Sequence, residues 1–343
     1  MSTRAVCLGL AVTAFAGAAG CGSSGHTTAH KAAPGSATSA AATSELQGKI
    51  VFRRFLDDAH SHGALFVMNA NGTGIRGITH PPADAVDSLN GPPSATPDGA
   101  TLVFDRSTPS AAGIFRVGLD GRGEREVPAP GGVPGDGWPA VSPAGTWIAV
   151  ARTWGHKDKS EDLKTGLYVL GIHGGHPRLV ANFGYRSDVG GATWSPDSKT
   201  IVFSAHNNGP GKPSGASALF AVGANGRGLR RLTPWHTEQP ISGPVYSPDG
   251  QTILFRLKPA GQDFGGDYWT VRNDGSSPRR LTHFGPSHTT ASATWSPNGS
   301  MIVFADSGMG GNDDLYVMRA DGGGIRRLTR TPQWESAALW LRP

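Results

Sequence analysis

The 343-residue chain is poor in cysteine, with Cys7 and Cys21 alone. Cys7 falls inside an N-terminal apolar stretch with the marks of a cleaved leader, so the mature chain keeps one cysteine and forms no internal disulfide. Packing alone must hold the fold. The chain also lacks a sustained 3.6-residue apolar period, which argues against long amphipathic helices. Its longest apolar run, Ala5 to Ala19 with only Thr13 polar, is too short and too weakly hydrophobic to span a bilayer. Net charge is +5, modest for this length. Familiar catalytic signatures are missing as well. No G-x-S-x-G elbow occurs, and Gly209-Pro210-Gly211-Lys212-Pro213 lacks both the spacing of a P-loop and the Ser or Thr after its Lys. What the chain has in quantity is 50 Gly and 26 Pro, set between short apolar runs. That is the composition of a globular all-β protein rich in turns.

The first residues read as an export signal. Arg4 precedes the apolar run and small residues follow it, which places a leader over residues 1–20. Ala18-Ala19-Gly20-Cys21 resembles a bacterial lipobox, with Ala18 where Leu is usual. The resemblance implies cleavage before Cys21 and lipidation of that residue; a plain secreted protein cut nearby is the other reading. Residues 21–46 are Gly, Ser, Thr, Ala and His with almost no bulky apolar side chain. They cannot bury enough surface to offset their ordering entropy and are expected to form a flexible tether, with His26 and His30 solvated. The remaining residues, 47–343, form the repeat domain.

A strand signal recurs six times, as KIVFRR from Lys49, TLVFDR from Thr101, TWIAVAR from Thr146, TIVFSA from Thr200, TILFRL from Thr252 and MIVFAD from Met301. Each is followed by a second run, of which ALFVMN from Ala64 and DLYVMR from Asp314 are examples. That run ends in a tight-turn pair such as Asn71-Gly72, Asp274-Gly275 or Asp321-Gly322, which accepts the positive φ angles of a two-residue hairpin. A third strand ends in Arg-Arg-Leu at Leu232, Leu281 and Leu328. A fourth precedes each unit, with its key position at Ala95, Val141, Trp194, Tyr246, Trp295 and finally Trp340. The first repeat lacks this strand at its front, so the C-terminal strand is expected to complete it. The expected fold is an all-β, six-bladed β-propeller of four-stranded blades, closed by the C-terminal strand in the first blade.

The repeats resemble the WD40-like (PD40) units of the TolB type. The likeness is carried by Trp194-Ser195-Pro196-Asp197, Tyr246-Ser247-Pro248-Asp249-Gly250 and Trp295-Ser296-Pro297-Asn298-Gly299, with the Asp-Gly turns and the closing Arg-x-Leu-Thr. Val141-Ser142-Pro143-Ala144-Gly145 departs most from that pattern. The resemblance implies the propeller fold and a role in the cell envelope. It leaves activity open, because propellers host binding proteins and enzymes alike.

Antiparallel strands ordered A to D outward from the axis put the short, uniform Ser-Pro-Asp-Gly and Asp-Gly turns on one face. The long B-to-C and D-to-A connections then share the other, which marks it as the binding face. The D-to-A segments place Asp136, Asp188, Glu238, His288 and Glu335 near successive key positions, with Asp87 before Ala95. Gathered at the channel mouth, the carboxylates would form an acidic funnel for a cation, a basic peptide or a metal ion. The same carboxylates would equally serve to accept backbone N–H bonds and shape the entry to strand A. His236 and His288 with Glu238 share that face, whereas His156 lies opposite His173 and His176, so the latter three hold no common metal. Trp154, Trp235 and Trp334 are the tryptophans placed in loops, for stacking on a ligand or for anchoring the loop. The Arg pairs belong to the outermost strands, where charge discourages edge pairing, so no nucleic-acid partner is expected.

The leading expectation is a monomeric, non-enzymatic, lipid-anchored extracytoplasmic propeller that binds a protein or peptide partner. No cofactor is expected, with a metal ion at the channel mouth left open. The alternative is a carbohydrate-active or other small-substrate enzyme, lyase-like, working at the channel mouth.

Overall fold

The computed structural model describes residues 46–130, 135–154, 164–182, 187–207, 216–237, 240–258, 265–284, 288–308 and 311–342. The leader, Cys21, the tether up to residue 45 and Glu238 lie outside the described residues. Asp188 is placed through its backbone alone.

Among the described residues every regular element is a β-strand. The first repeat supplies β1 (Lys49–Phe55), β2 (Gly63–Asn69) and β3 (Arg76–Gly77). The second supplies β4 (Val86–Asp87) and β5 (Ser94–Ala95), two halves of an interrupted inner strand, then β6 (Thr101–Ser107), β7 (Ala112–Gly118) and β8 (Arg125–Glu126). The third holds β9 (Asp136–Val141), β10 (Trp147–Trp154), β11 (Lys164–Gly171) and β12 (Arg178–Asn182). The fourth holds β13 (Ser187–Trp194), β14 (Thr200–Asn207), β15 (Ala216–Gly223) and β16 (Arg230–Arg231). The fifth holds β17 (Ile241–Tyr246), β18 (Thr252–Leu257), β19 (Asp267–Arg272) and β20 (Arg279–Arg280). The sixth holds β21 (Thr290–Trp295), β22 (Met301–Asp306), β23 (Asp314–Arg319) and β24 (Arg326–Arg327), and β25 (Glu335–Leu341) follows.

Repeats three to six each form a separate four-stranded antiparallel sheet. The other strands make one nine-stranded sheet that consists of two units of the same pattern. One is β25-β1-β2-β3 and the other begins with the interrupted β4/β5. A single parallel bridge, Gly63 to Val86, joins them. β25 runs antiparallel to β1, with Lys49 opposite Leu341 and Arg54 opposite Glu335.

The core lies between the sheets rather than inside any one of them, because both faces of a central strand such as β6 are apolar and each needs a neighbour. Ile148 and Val150 pack with Val103 and Ile114 of the preceding repeat, and Phe255 packs with Val202 and Leu219. Ile50, Phe52 and Trp340 pack with Val303, Leu315 and Val317 of the sixth repeat. Leu46, just before β1, is buried in that same cluster.

The recurring motif residues have separate structural tasks. Trp194 Nε1 donates to the Ala140 carbonyl at 2.8 Å and Trp295 Nε1 to Val245 at 3.3 Å, so each indole ties its inner strand to the one before. In the Ser-Pro-Asp turns the Ser hydroxyl donates to the Asp carboxylate at 2.6 Å, at both Ser195 and Ser247. The Thr that closes each Arg-x-Leu-Thr accepts a strand-C N–H: Thr233 from Leu219 at 3.0 Å and Thr329 from Leu315 at 2.9 Å. Those motif residues are thereby accounted for by architecture.

Candidate functional site

The inner strands carry the site, and each of β9, β13, β17, β21 and β25 breaks register against its neighbour through a bulge. A bulge adds residues to one strand only and turns them out of the ladder. Here the extra residues, including Trp138, Gly190, Gly191, Gly243, Pro244, Ala291 and Ser292, line a cavity of about 640 Å³. Trp138 and Ala337 reach this geometry with φ of 50° and 55°, left-handed values rare for such side chains. In the second repeat the bulge grows into a loop, Ser88 to Pro93, and its Asn90, Gly91, Pro92 and Pro93 also line the cavity.

Just before these bulges stand the described acids that the spacing singled out. Asp136 opposes Arg152 across the ladder, and its two oxygens accept from Nε at 2.7 Å and Nη2 at 2.8 Å. Glu335, with no exposed surface, accepts from Arg54 Nε at 2.9 Å and Nη2 at 2.5 Å. Asp87 pairs with Arg106 in the same way, at 2.6 and 3.1 Å. Each of these carboxylates thus forms an ion pair that ties the inner strand to its neighbour. In the fourth and fifth repeats the equivalent cross-strand place is apolar, Val189 opposite Ala205 and Ile241 opposite Leu257. Asp188 sits one position earlier, opposite His206. The sixth repeat puts Thr290 opposite Asp306, and His288 Nδ1 meets the Asp306 carboxylate at 2.6 Å while its ring stacks on Phe284. Among the described residues Asp87, Asp136 and Glu335 each pair with an arginine, and His288 meets Asp306. Among the described residues no group of three His, Cys, Asp or Glu side chains is arranged to hold a metal.

A second layer of charge lies one residue earlier on strand B, where successive repeats carry Arg53, Asp105, Ala151, Ser204, Arg256 and Ala305. Arg53 donates to the Ser88 carbonyl and the Ser336 hydroxyl, both at 2.6 Å, and burial pulls its guanidinium down to about 10. Burial pushes Asp105 up to about 6, against the opposing hydrogen bonds from the Asn90 backbone and side chain. Asp313 is pushed up to about 7 by burial, although the Thr289 hydroxyl donates to it at 3.2 Å. Arg256 reaches the Thr290 carbonyl and stands 3.4 Å from the Ser242 hydroxyl.

Two cavity residues escape a reading by repeat position. Trp138 was hidden because the loop tryptophans attract attention first, yet Trp235 packs edge-on to Phe220 and Trp334 donates to Asn312 at 2.9 Å, both anchoring their connections. The side chain of Trp154 is outside the described residues. Arg256 was visible in TILFRL as a charge in mid-strand, but only the ladder tells which way it faces.

No known family model matches the chain. Over 199 residues it is 32% identical to an uncharacterized protein of Agrobacterium fabrum, which covers 55% of this chain and 59% of that one. A 100-residue stretch, 29% of this chain, is 36% identical to the Tol-Pal system protein TolB of Anaeromyxobacter dehalogenans and covers 21% of it. The crystal structure of TolB from Acinetobacter baumannii superposes with a TM-score of 0.66 at 18% identity, over 86% of this chain and 67% of that chain. The chain spans less than two thirds of either sequence relative. In fold it is a β-propeller of the TolB type.

Proposed function

We propose that this chain is an exported binding protein of the cell envelope, which takes a protein or peptide partner at the face carrying its long connections. In this reading the propeller has six blades, closed by β25 as the inner strand of the first, and the monomer is held to the membrane by a lipid on Cys21. Support for six blades comes from the core clusters, each of which joins two consecutive repeats, with the last returning from the sixth to the first. The single observation that carries the binding function is the cavity of about 640 Å³ walled by the bulged inner strands. The likeness to TolB of a Tol-Pal system favours a protein partner over a small substrate.

The test is site-specific photo-crosslinking in intact envelopes. A crosslinker at the exposed Leu89, in the loop beside the cavity, should capture a defined protein, whereas one at the exposed Ile75, beside the opposite turn, should not. Equal capture from both positions, or none from Leu89, would sink the proposal. Release of the Cys21→Ser chain from the membrane fraction is the expected result for the lipid anchor.

A further inference from the structure

The basic side chains lining the cavity are His206, Arg256 and Lys258, with Tyr268 beside them, and no carboxylate belongs to its wall among the described residues. This is the opposite of an acidic funnel. Arg256 has the least compensation. The arginines at the neighbouring strand-B place, Arg54, Arg106 and Arg152, each grip a carboxylate. Arg256 sits one residue inward and faces Ser242 in the ladder, so its described partners are a carbonyl and a hydroxyl. It is enclosed by protein except toward the cavity, and loss of water pulls its guanidinium below the ordinary arginine range, against the pull of Tyr268 and Asp313. A desolvated guanidinium without an ion-pair partner is costly, and a bidentate carboxylate is the group its planar fork matches best.

Another part of the wall offers a different contact. Trp138 is held between two glycines, because a Cβ on Gly91 would come within 2.9 Å of its ring and one on Gly191 within 3.4 Å. The indole is thereby clamped with part of its surface toward a cavity of a size that admits a short peptide segment. We infer that the cavity is a carboxylate-binding subsite, in which Arg256 receives a carboxylate of an inserted acidic peptide while Trp138 packs against the adjoining residue. This rests on the peptide-binding reading above and specifies its chemistry.

Calorimetric titration of the purified full chain tests it with four probes: an acetylated, amidated hexaglutamate, its amidated glutamine counterpart, the same glutamine peptide with a free C-terminal carboxylate, and citrate. Hexaglutamate should bind and the amidated glutamine peptide should not. Arg256→Gln should weaken binding at least tenfold, about 1.4 kcal/mol, and Arg279→Gln on the exposed outer strand should leave it unchanged. Ser292→Trp fills part of the cavity while keeping the Arg256 side chain and should weaken binding equally, which decides the matter if Arg256→Gln does not fold. Tight binding of the free-carboxylate glutamine peptide would identify a chain terminus as the source of the group and support the subsite. Binding of citrate alone would overturn the peptide. Failure of every carboxylate probe, or wild-type affinity in both variants, would overturn the subsite. If crosslinking at Leu89 captures a partner equally in Arg256→Gln envelopes, the carboxylate inference fails while the partner-binding reading stands.

Discussion

Asp313 and Asp105 carry the pH dependence that the structure makes plainest. Both have folded-state values raised by burial above the ordinary 3.8, to about 7 and about 6. Between the ordinary and the raised value the folded state holds a proton that the unfolded chain has released, so each contribution to stability is complete below pH 4 and is lost as pH rises through the folded value. The chain should therefore lose stability between about pH 4 and 7. Asp313→Asn keeps the oxygen that accepts from Thr289, and should flatten the curve between pH 6 and 7 while raising stability at pH 7.5 by on the order of 1–3 kcal/mol. Denaturant titrations at stepped pH measure both effects. Two glycines give a second contrast. Gly322 has φ of 89°, and a Cβ there would lie 2.1 Å from the Leu281 carbonyl oxygen; Gly99 has φ of 65° with nothing within 4 Å. Ser198 occupies the place equivalent to Gly99 with φ of 60°. Gly99→Ala should cost about 1 kcal/mol and Gly322→Ala about 3 kcal/mol or more, read from thermal melts. The sequence disclosed the turn glycines through their pairs, but not which would tolerate a methyl group, since that depends on a neighbouring repeat.

Among the elements, the join between an inner strand and its neighbour is where the sequence left two readings open. Asp136 and Glu335 were conspicuous by position, and their use as ladder ties was one of two readings that spacing alone left open. The fourth and fifth repeats show the apolar solution of the same join, Val189 with Ala205 and Ile241 with Leu257. Arg152→Ala should cost about 3–5 kcal/mol, because it strands a buried carboxylate, whereas Asp136→Leu with Arg152→Met should be nearly neutral. A double-mutant cycle by denaturant unfolding would separate pair from packing. Strands β6, β14 and β22 were legible from their β-branched and aromatic runs. The bulges were not, because an added residue disturbs pairing without leaving a mark in composition. Nor was the interruption between β4 and β5, which reads in sequence only as Pro92-Pro93 ahead of a strand.

For the molecule as a whole, the missing strand at the front of the first repeat was the most informative absence in the sequence, and β25 lies beside β1 as that absence requires. Removing residues 335–343 should expose Ile50 and Phe52 and lose Trp340 from its cluster, leaving a chain that fails to melt cooperatively. Calorimetry of the truncated chain measures this; a sharp transition at the wild-type temperature would contradict it. The cavity itself was beyond the sequence, because its walls come from five repeats and β25 and its charge is set by residues at unlike repeat positions. The same β1 to β25 pairing also orders events in time. Arg54 and Glu335 are 281 residues apart, so the first repeat waits for its last strand until nearly the whole described chain has left the ribosome. Until then β1 is an open edge with apolar faces, and the interval before β25 arrives is when this protein is most exposed to mispairing.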